Sequence, residues 1–268
     1  MSTQRGLARV VMGFVSSCGV IFSLAVAHAA VVLDYDLSTV PNEAVPFVSP
    51  TTVAAGLSPT DLIRGAGIGA TNLTAGFSSN NWAGAGASRQ NAIDTNQYYQ
   101  FGFTVIPGGS VSLSQLEVGL RRSAAAAPMN YEWQYSLDGF ATSGTTISVS
   151  GSPYYATGTF TYYGRSSGSG GVPADFNYMS ADLAGQGNGN AMPPLDLTGI
   201  TALQNITAGS SADFRLYAWG DGAGATTNTV ALGRNLGPRL SGVAVPEPAG
   251  LMIVGGALAG VGLVRRRR

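Results

Sequence analysis

Along much of the chain, apolar residues recur at every second position. Leu33, Tyr35 and Leu37 alternate with Asp34 and Asp36, and Tyr99, Phe101, Phe103 and Val105 alternate with polar or small residues up to the turn Pro107-Gly108-Gly109. That period belongs to strands with one buried face. Tyr131, Trp133, Tyr135 and Leu137 form the clearest run, closed by the turn signal Asp138-Gly139. Further strands are predicted over 145–149, 157–163, 214–219, 229–232 and 240–243. Between them the phase changes once, with Val111 and Leu113 on odd positions and Leu116, Val118 and Leu120 on even ones. Because a one-residue slip turns every side chain to the other face, a bulge or short break near Ser114-Gln115 is expected, followed by a loop over 121–128.

No stretch between the two ends sustains a 3.6-residue apolar period. The chain's 38 glycines are about twice the ordinary ~7% usage. Short strands and frequent turns predict an all-β fold, an antiparallel β-sandwich of jelly-roll type. Residues 164–194 are rich in Gly, Ser, Asn and Pro, are interrupted by Phe176 and Tyr178, and read as an insertion into it.

The ends are different in kind. Arg5 and Arg9 precede an apolar stretch over 10–27, which leads to Ala27-His28-Ala29 and Ala30. A basic start, an apolar middle and a small-residue site make a secretory signal peptide over 1–29, cut between Ala29 and Ala30. Two other readings use the same residues: an uncleaved membrane anchor, and lipoprotein processing at Cys18 in Val15-Ser16-Ser17-Cys18. At the other end, a 16-residue apolar segment over 249–264 would reach roughly 24 Å as a helix at about 1.5 Å per residue. That is short of a ~30 Å hydrocarbon core, so as a transmembrane helix it is a marginal one. Arg265, Arg266, Arg267 and Arg268 follow it and would hold that end in the cytoplasm. Gly255, Gly256, Ala257 and Gly260 give the helix a smooth surface, as permissive anchor composition or for packing on another helix.

The tail 245–268 puts Val245-Pro246-Glu247-Pro248 ahead of this segment and the basic cluster after it. In that order, paired with a signal peptide, it resembles the PEP-CTERM sorting domain. The resemblance implies an exosortase as processing partner, cleavage near Pro246-Glu247-Pro248, a transient membrane-anchored state, and release to the cell surface or an exopolysaccharide matrix. Two prolines restrict the backbone and remove two donors, which suits an extended, accessible site just outside a bilayer. The segment 131–140, YEWQYSLDGF, resembles the strand and turn of galactose-binding-like β-sandwiches. It implies that architecture and no binding residues.

Residues 30–244 form one exported domain of 215 residues, long enough for a sizeable core. Its eight arginines against 13 acids leave a net charge of −5, and the chain has no lysine. An acidic surface of this kind argues against nucleic acid as a partner. Cys18 and His28 are the chain's sole cysteine and histidine, and both precede the cleavage site. The mature domain therefore has no disulfide, thiol nucleophile, histidine-dependent triad or Cys/His zinc site.

Three candidate chemistries remain. Glu117 and Glu132 lie on outward phases of two strands that would form a hairpin, a conceivable carboxylate pair for an envelope hydrolase, though such charges are expected to be solvated. Asp34-x-Asp36 and Asp221-Gly222 are fragments of a calcium ligand set without the spaced acids and terminal Glu of an EF-hand loop. Trp82, Tyr154, Tyr155, Tyr162, Tyr163 and Trp219 offer aromatic faces for sugar rings, although in strands such residues more often belong to the core, and only the adjacent pairs Tyr154-Tyr155 and Tyr162-Tyr163 must each put one ring outside. The expectation is an exported, non-enzymatic structural or interaction protein associated with exopolysaccharide. A glycan-binding module is the alternative, and a cofactor-free protein with at most structural calcium is implied.

The cleavage assignment predicts that the protein recovered from its native cells begins at Ala30. Mass spectrometry of the mature amino terminus checks it; an intact Met1 end or a lipid-modified Cys18 would refute it.

Overall fold

The computed structural model describes residues 29–84, 86–122, 127–128, 130–147, 155–157, 160–163, 190–192, 194–220, 229–233 and 236–246. Residues 1–28 of the expected signal peptide 1–29, the apolar segment 249–264, the basic end and most of the expected insertion 164–194 lie outside them. Among the described residues no helix is long and apolar enough to cross a membrane.

In chain order the strands are β1 (Ala30–Asp34), β2 (Thr52–Val53), β3 (Leu57–Pro59), β4 (Ile63–Arg64), β5 (Gly69–Thr71) and β6 (Phe77–Asn80). The helix α1 (Arg89–Asp94) follows, then β7 (Tyr98–Val105), β8 (Gly109–Glu117), β9 (Gly119–Arg122), β10 (Asn130–Ser136) and β11 (Thr145–Thr146). The remainder are β12 (Tyr155–Thr157), β13 (Phe160–Tyr163), β14 (Asn190–Ala191), β15 (Leu195–Asp196), β16 (Ile206–Thr207), β17 (Ser211–Trp219), β18 (Val230–Leu232) and β19 (Arg239–Pro246). Every pairing between these strands is antiparallel. They form three sheets, β15-β8-β19-β1-β2, β12-β13-β10-β17-β7-β3 and β14-β9-β18-β6-β5, with β16, β11 and β4 attached at the sides. The all-β class predicted from the alternation holds, and the sheets share one contiguous apolar core, as in a β-sandwich.

The alternating runs explain the middle sheet. In β10, β17 and β7 the aromatic positions lie in rows: Trp133 opposite Leu216 opposite Tyr99, and Tyr135 opposite Phe214 opposite Phe101. Phe101 stacks on Phe214 at 5.5 Å and meets Trp133 and Tyr35 edge to face at 5.8 and 5.5 Å. Tyr99 packs against Phe77 of β6 and against Trp82, which follows that strand. Buried tyrosines must satisfy their hydroxyls. Tyr35 donates to the Thr60 carbonyl, Tyr99 to that of Val230 at 2.7 Å and Tyr131 to that of Pro128 at 2.7 Å. Burial pushes the Tyr35 and Tyr99 phenols far above their ordinary range.

The bulge expected near Ser114-Gln115 is present. Gln115 faces Ser241 and Leu113 faces Gly242, so Ser114 is the extra residue on β8. It moves Leu116 into the same buried layer as Val111 and Leu113. Past Val118 the chain changes sheet, with β8 pairing β19 and β9 pairing β18.

Two expectations are corrected, and one element was not expected. The loop predicted over 121–128 does not include its first two residues, because Arg121 and Arg122 pair with Ala231 and Val230 in β9; residues 123–126 lie outside the described residues. The single strand over 157–163 is two strands folded on each other, Thr157 opposite Phe160. The helix α1 had no sequence signal of its own: six residues are too few for a 3.6-residue period to register. It is held by a capping box in which Ser88 accepts from the Asn91 amide and the Asn91 side chain accepts from the Ser88 amide.

Gly242 sits opposite the bulge with no room for a side chain, since a Cβ there would lie 2.2 Å from the Ser112 carbonyl oxygen. Gly242→Ala is therefore expected to lower stability by about 1–3 kcal/mol through overpacking. Equilibrium denaturant unfolding measures this, and an unchanged midpoint would contradict the assigned register.

Candidate functional site

The outer face of the β10-β17-β7 ribbon carries the polar half of the alternation. Glu132 lies opposite Tyr217 and Tyr98, Gln134 opposite Arg215 and Gln100, and Ser136 opposite Asp213 and Gly102. The helix α1 crosses one end of this face and packs Ala92 against Tyr217 and Trp219. Loop 138–144 flanks the other side. Between helix and loop runs a groove of about 510 Å³, floored by Gln134, Arg215 and Tyr217.

Glu132 is completely buried beneath α1. Its carboxylate accepts from Arg89 Nε at 2.5 Å and Nη2 at 2.7 Å, from Gln134 Nε2 at 2.7 Å and from Thr146 Oγ1 at 2.9 Å. A buried carboxylate so enclosed is neutralised and satisfied. It anchors α1 to the sheet.

Arg215 is held differently. Its guanidinium lies between the rings of Tyr98 and Phe140, with Cζ 3.9 Å from each centroid. Nε donates to Gln100 Oε1 at 2.7 Å, and Nη1 reaches the Tyr217 hydroxyl at 3.4 Å. No carboxylate forms an ion pair with it among the described residues. Burial raises the Tyr217 phenol despite the opposing effect of Arg215, and raises the Asp213 carboxyl two residues along β17.

The loop that presents Phe140 is built by local polar contacts. Ser136 Oγ donates to Asp138 Oδ1 and accepts from the Asp138 and Phe140 amides, while Asp138 Oδ2 accepts from Thr142. These bonds hold the Asp138 carboxyl below its ordinary range. Gly139 and Phe140 both take positive φ, +69° and +62°. A β-carbon at Gly144 would stand 2.4 Å from Phe140 Cε1 and 2.7 Å from Gln134 Oε1, so glycine there lets loop and sheet approach.

The residues singled out from sequence have varied positions. Glu117 and Glu132 do not share a hairpin. Glu117 lies opposite Arg239 in the sheet with β19, whereas Glu132 pairs across β10 with β17, so the carboxylates belong to different sheets. Nor is Glu132 solvated, because the unforeseen helix covers it. Asp34 accepts from both Nε and Nη2 of Arg239 at 3.1 and 3.2 Å, and Asp36 accepts from the Ser38 amide. Among the described residues no three His, Cys, Asp or Glu side chains converge on a metal position. Trp82 and Trp219 are buried core residues and offer no exposed platform. Tyr155, Tyr162 and Tyr163 lie on β12 and β13, beside β10. Their side chains, like Tyr154 and Asp221-Gly222, lie outside the described part of the structure.

Val245 and Pro246 are the last two residues of β19, opposite Ser110 and Gly109. Glu247, Pro248 and Arg265, Arg266, Arg267 and Arg268 lie outside the described residues. Ala30 begins β1 opposite Gly242, so the chain enters β1 and leaves β19 at the same end of their sheet.

Sequence reasoning missed Arg89, Gln134, Arg215 and Phe140 as a set. The available signal was the polar phase of two aromatic strands, Glu132-x-Gln134 and Asp213-x-Arg215, which becomes a site only once the strands are paired.

Compared with protein-family models, with curated proteins and with solved structures, the chain matches none.

Glu132→Gln removes the charge that Arg89 meets while keeping the shape. It should lower stability by about 1–3 kcal/mol, since one partner of a charged hydrogen-bonded pair is lost while Arg89 keeps access to water. A double-mutant cycle with Arg89→Gln, read by chemical denaturation, checks the coupling; additive effects would show that the pair is not an anchor.

Proposed function

We propose that the chain is an exported, non-enzymatic structural or interaction protein of the cell surface or extracellular matrix, a jelly-roll-like β-sandwich delivered by a PEP-CTERM-type tail. The observation that carries this reading is the position of the two exits. The first strand begins at Ala30, immediately after the small-residue site Ala27-His28-Ala29, and β19 runs directly into Val245-Pro246 at the same end. Two apolar segments leaving one end of a folded domain can both engage one membrane without threading past the domain. A span as short as 249–264 suits a temporary tether, held with Arg265 to Arg268 inside until an exosortase cuts near the motif.

A second reading, a glycan-binding module, is favoured by the polar groove. Its volume falls within the range of small-molecule sites. Its floor and rim carry amide, hydroxyl and guanidinium groups suited to a hydroxyl-rich ligand. The two readings are compatible in a protein associated with exopolysaccharide.

Replacing Pro246-Glu247-Pro248 by Ala-Ala-Ala should leave the tail uncleaved and the protein in the inner-membrane fraction, heavier by the mass of the tail. Fractionation and intact-mass measurement in the native host test this. Unchanged processing would overturn the sorting assignment.

A further inference from the structure

We infer that the groove between α1 and loop 138–144 binds an acidic saccharide, with Arg215 receiving the sugar's carboxylate. This rests on the glycan-binding reading and assigns it a ligand class and an anchor.

Charge is the first line of support. The exported domain carries a net charge of −5, yet among the described residues the groove is lined by Arg89 and Arg215 and by no Asp or Glu. The Arg89 charge is met from below by Glu132. Among the described residues Arg215 has no ion-pair partner; Asp213, two residues along the strand, feels its charge but does not bond to it. The groove is thus locally positive on an acidic domain, which favours an anionic ligand and disfavours one that is merely polar.

Geometry is the second. Two aromatic rings cover both faces of the Arg215 guanidinium, so the group can act only through its edge. Gln100 takes Nε and the Tyr217 hydroxyl takes one N–H of Nη1. The other N–H of Nη1 and both of Nη2 make no hydrogen bond to the described residues. Those three donors on the two terminal nitrogens are enough to meet both oxygens of a carboxylate. Stacking and the Gln100 bond fix its orientation before any ligand arrives, which lowers the entropic cost of binding.

The rest of the groove suits a sugar ring. Gln90, Asn96, Thr142 and Ser143 line its walls around the amide of Gln134 on the floor, and the donors of Gln90, Gln134 and Thr142 that are bonded to neighbouring carboxylates leave their oxygens to accept from a ligand. These complement several hydroxyl groups at once and give no deep apolar pocket for an aliphatic acid.

The test uses the full chain purified in detergent and titrated, by affinity electrophoresis or calorimetry, with alginate, polygalacturonate, dextran and dextran sulfate. Binding to the two polyuronates and not to dextran is expected, weakening as salt is added. Arg215→Gln should weaken it about 10-fold or more, as expected for loss of a charged hydrogen-bonding group. Arg215→Lys should fall as well, because it keeps the charge and loses the two terminal nitrogens. Ser143→Trp, on the exposed rim, should block the groove without shifting the unfolding midpoint, and it remains decisive should the Arg215 variants fail to fold. Equal binding to dextran and to the polyuronates, or binding indifferent to Arg215→Gln and Ser143→Trp, would overturn the inference and leave the glycan-binding reading standing. Tight binding to dextran sulfate that neither variant alters would mark general charge attraction and overturn it too. Failure to bind any of the four polymers would remove both.

Discussion

The register of one three-stranded ribbon governs the molecule. Seven residue pairs join β10 to β17 and seven join β17 to β7. They place Tyr99, Phe101, Tyr131, Trp133, Phe214 and Leu216 on one side and Glu132, Gln134, Arg215 and Tyr217 on the other. A slip of one residue would exchange these sets, burying charges in the core and exposing the aromatics. Residues 30–244 contain no cysteine, so nothing covalent prevents that slip. The hydrophobic difference between the two faces does so, and the same difference creates the polar surface on which the groove forms.

Charged groups are handled in three distinct ways. Glu132 and Arg89 neutralise each other under the helix. Arg64 is largely buried without a carboxylate, with Cζ 3.5 Å above the Phe77 ring and hydrogen bonds to the Val45 and Ser78 carbonyls and to Ser79 Oγ. Burial draws its pKa down, as desolvation does for a cation. Arg215 is stacked like Arg64 but keeps an open edge towards solvent. The first two arrangements fasten elements together; the third leaves hydrogen-bonding capacity unused at a surface, which is why it carries the ligand proposal.

The proposed sorting tail and the domain meet without a separate linker. Val245 and Pro246 belong to β19, and Pro246 occupies the strand's last position, where a missing donor costs the ladder least. A membrane-bound enzyme acting at this motif would meet the edge of a folded sheet, so its access depends on how readily the last pair of β19 frays.

Much of the fold was legible in the chain itself. Period-two runs specified β7, β10 and β17 and the inward identity of their aromatics, the phase change at 113–116 located the Ser114 bulge, and the Asp138-Gly139 signal located the turn. These are local properties, set by backbone geometry and the polarity of neighbouring positions. Helix α1 was not legible, being too short to show a period and dependent on docking Ala92 against Tyr217 and Trp219. Nor was the division of Glu117 and Glu132 between two sheets, since strand partners far apart in sequence are chosen by the packing of the whole core. The sequence alone thus determined which residues turn inward; tertiary structure decided which outward residues meet. The burial of Glu132 under Arg89 joins residues 43 positions apart, and the clasp of Tyr98 and Phe140 on Arg215 joins residues 117 and 75 positions apart, distances over which no local pattern carries information.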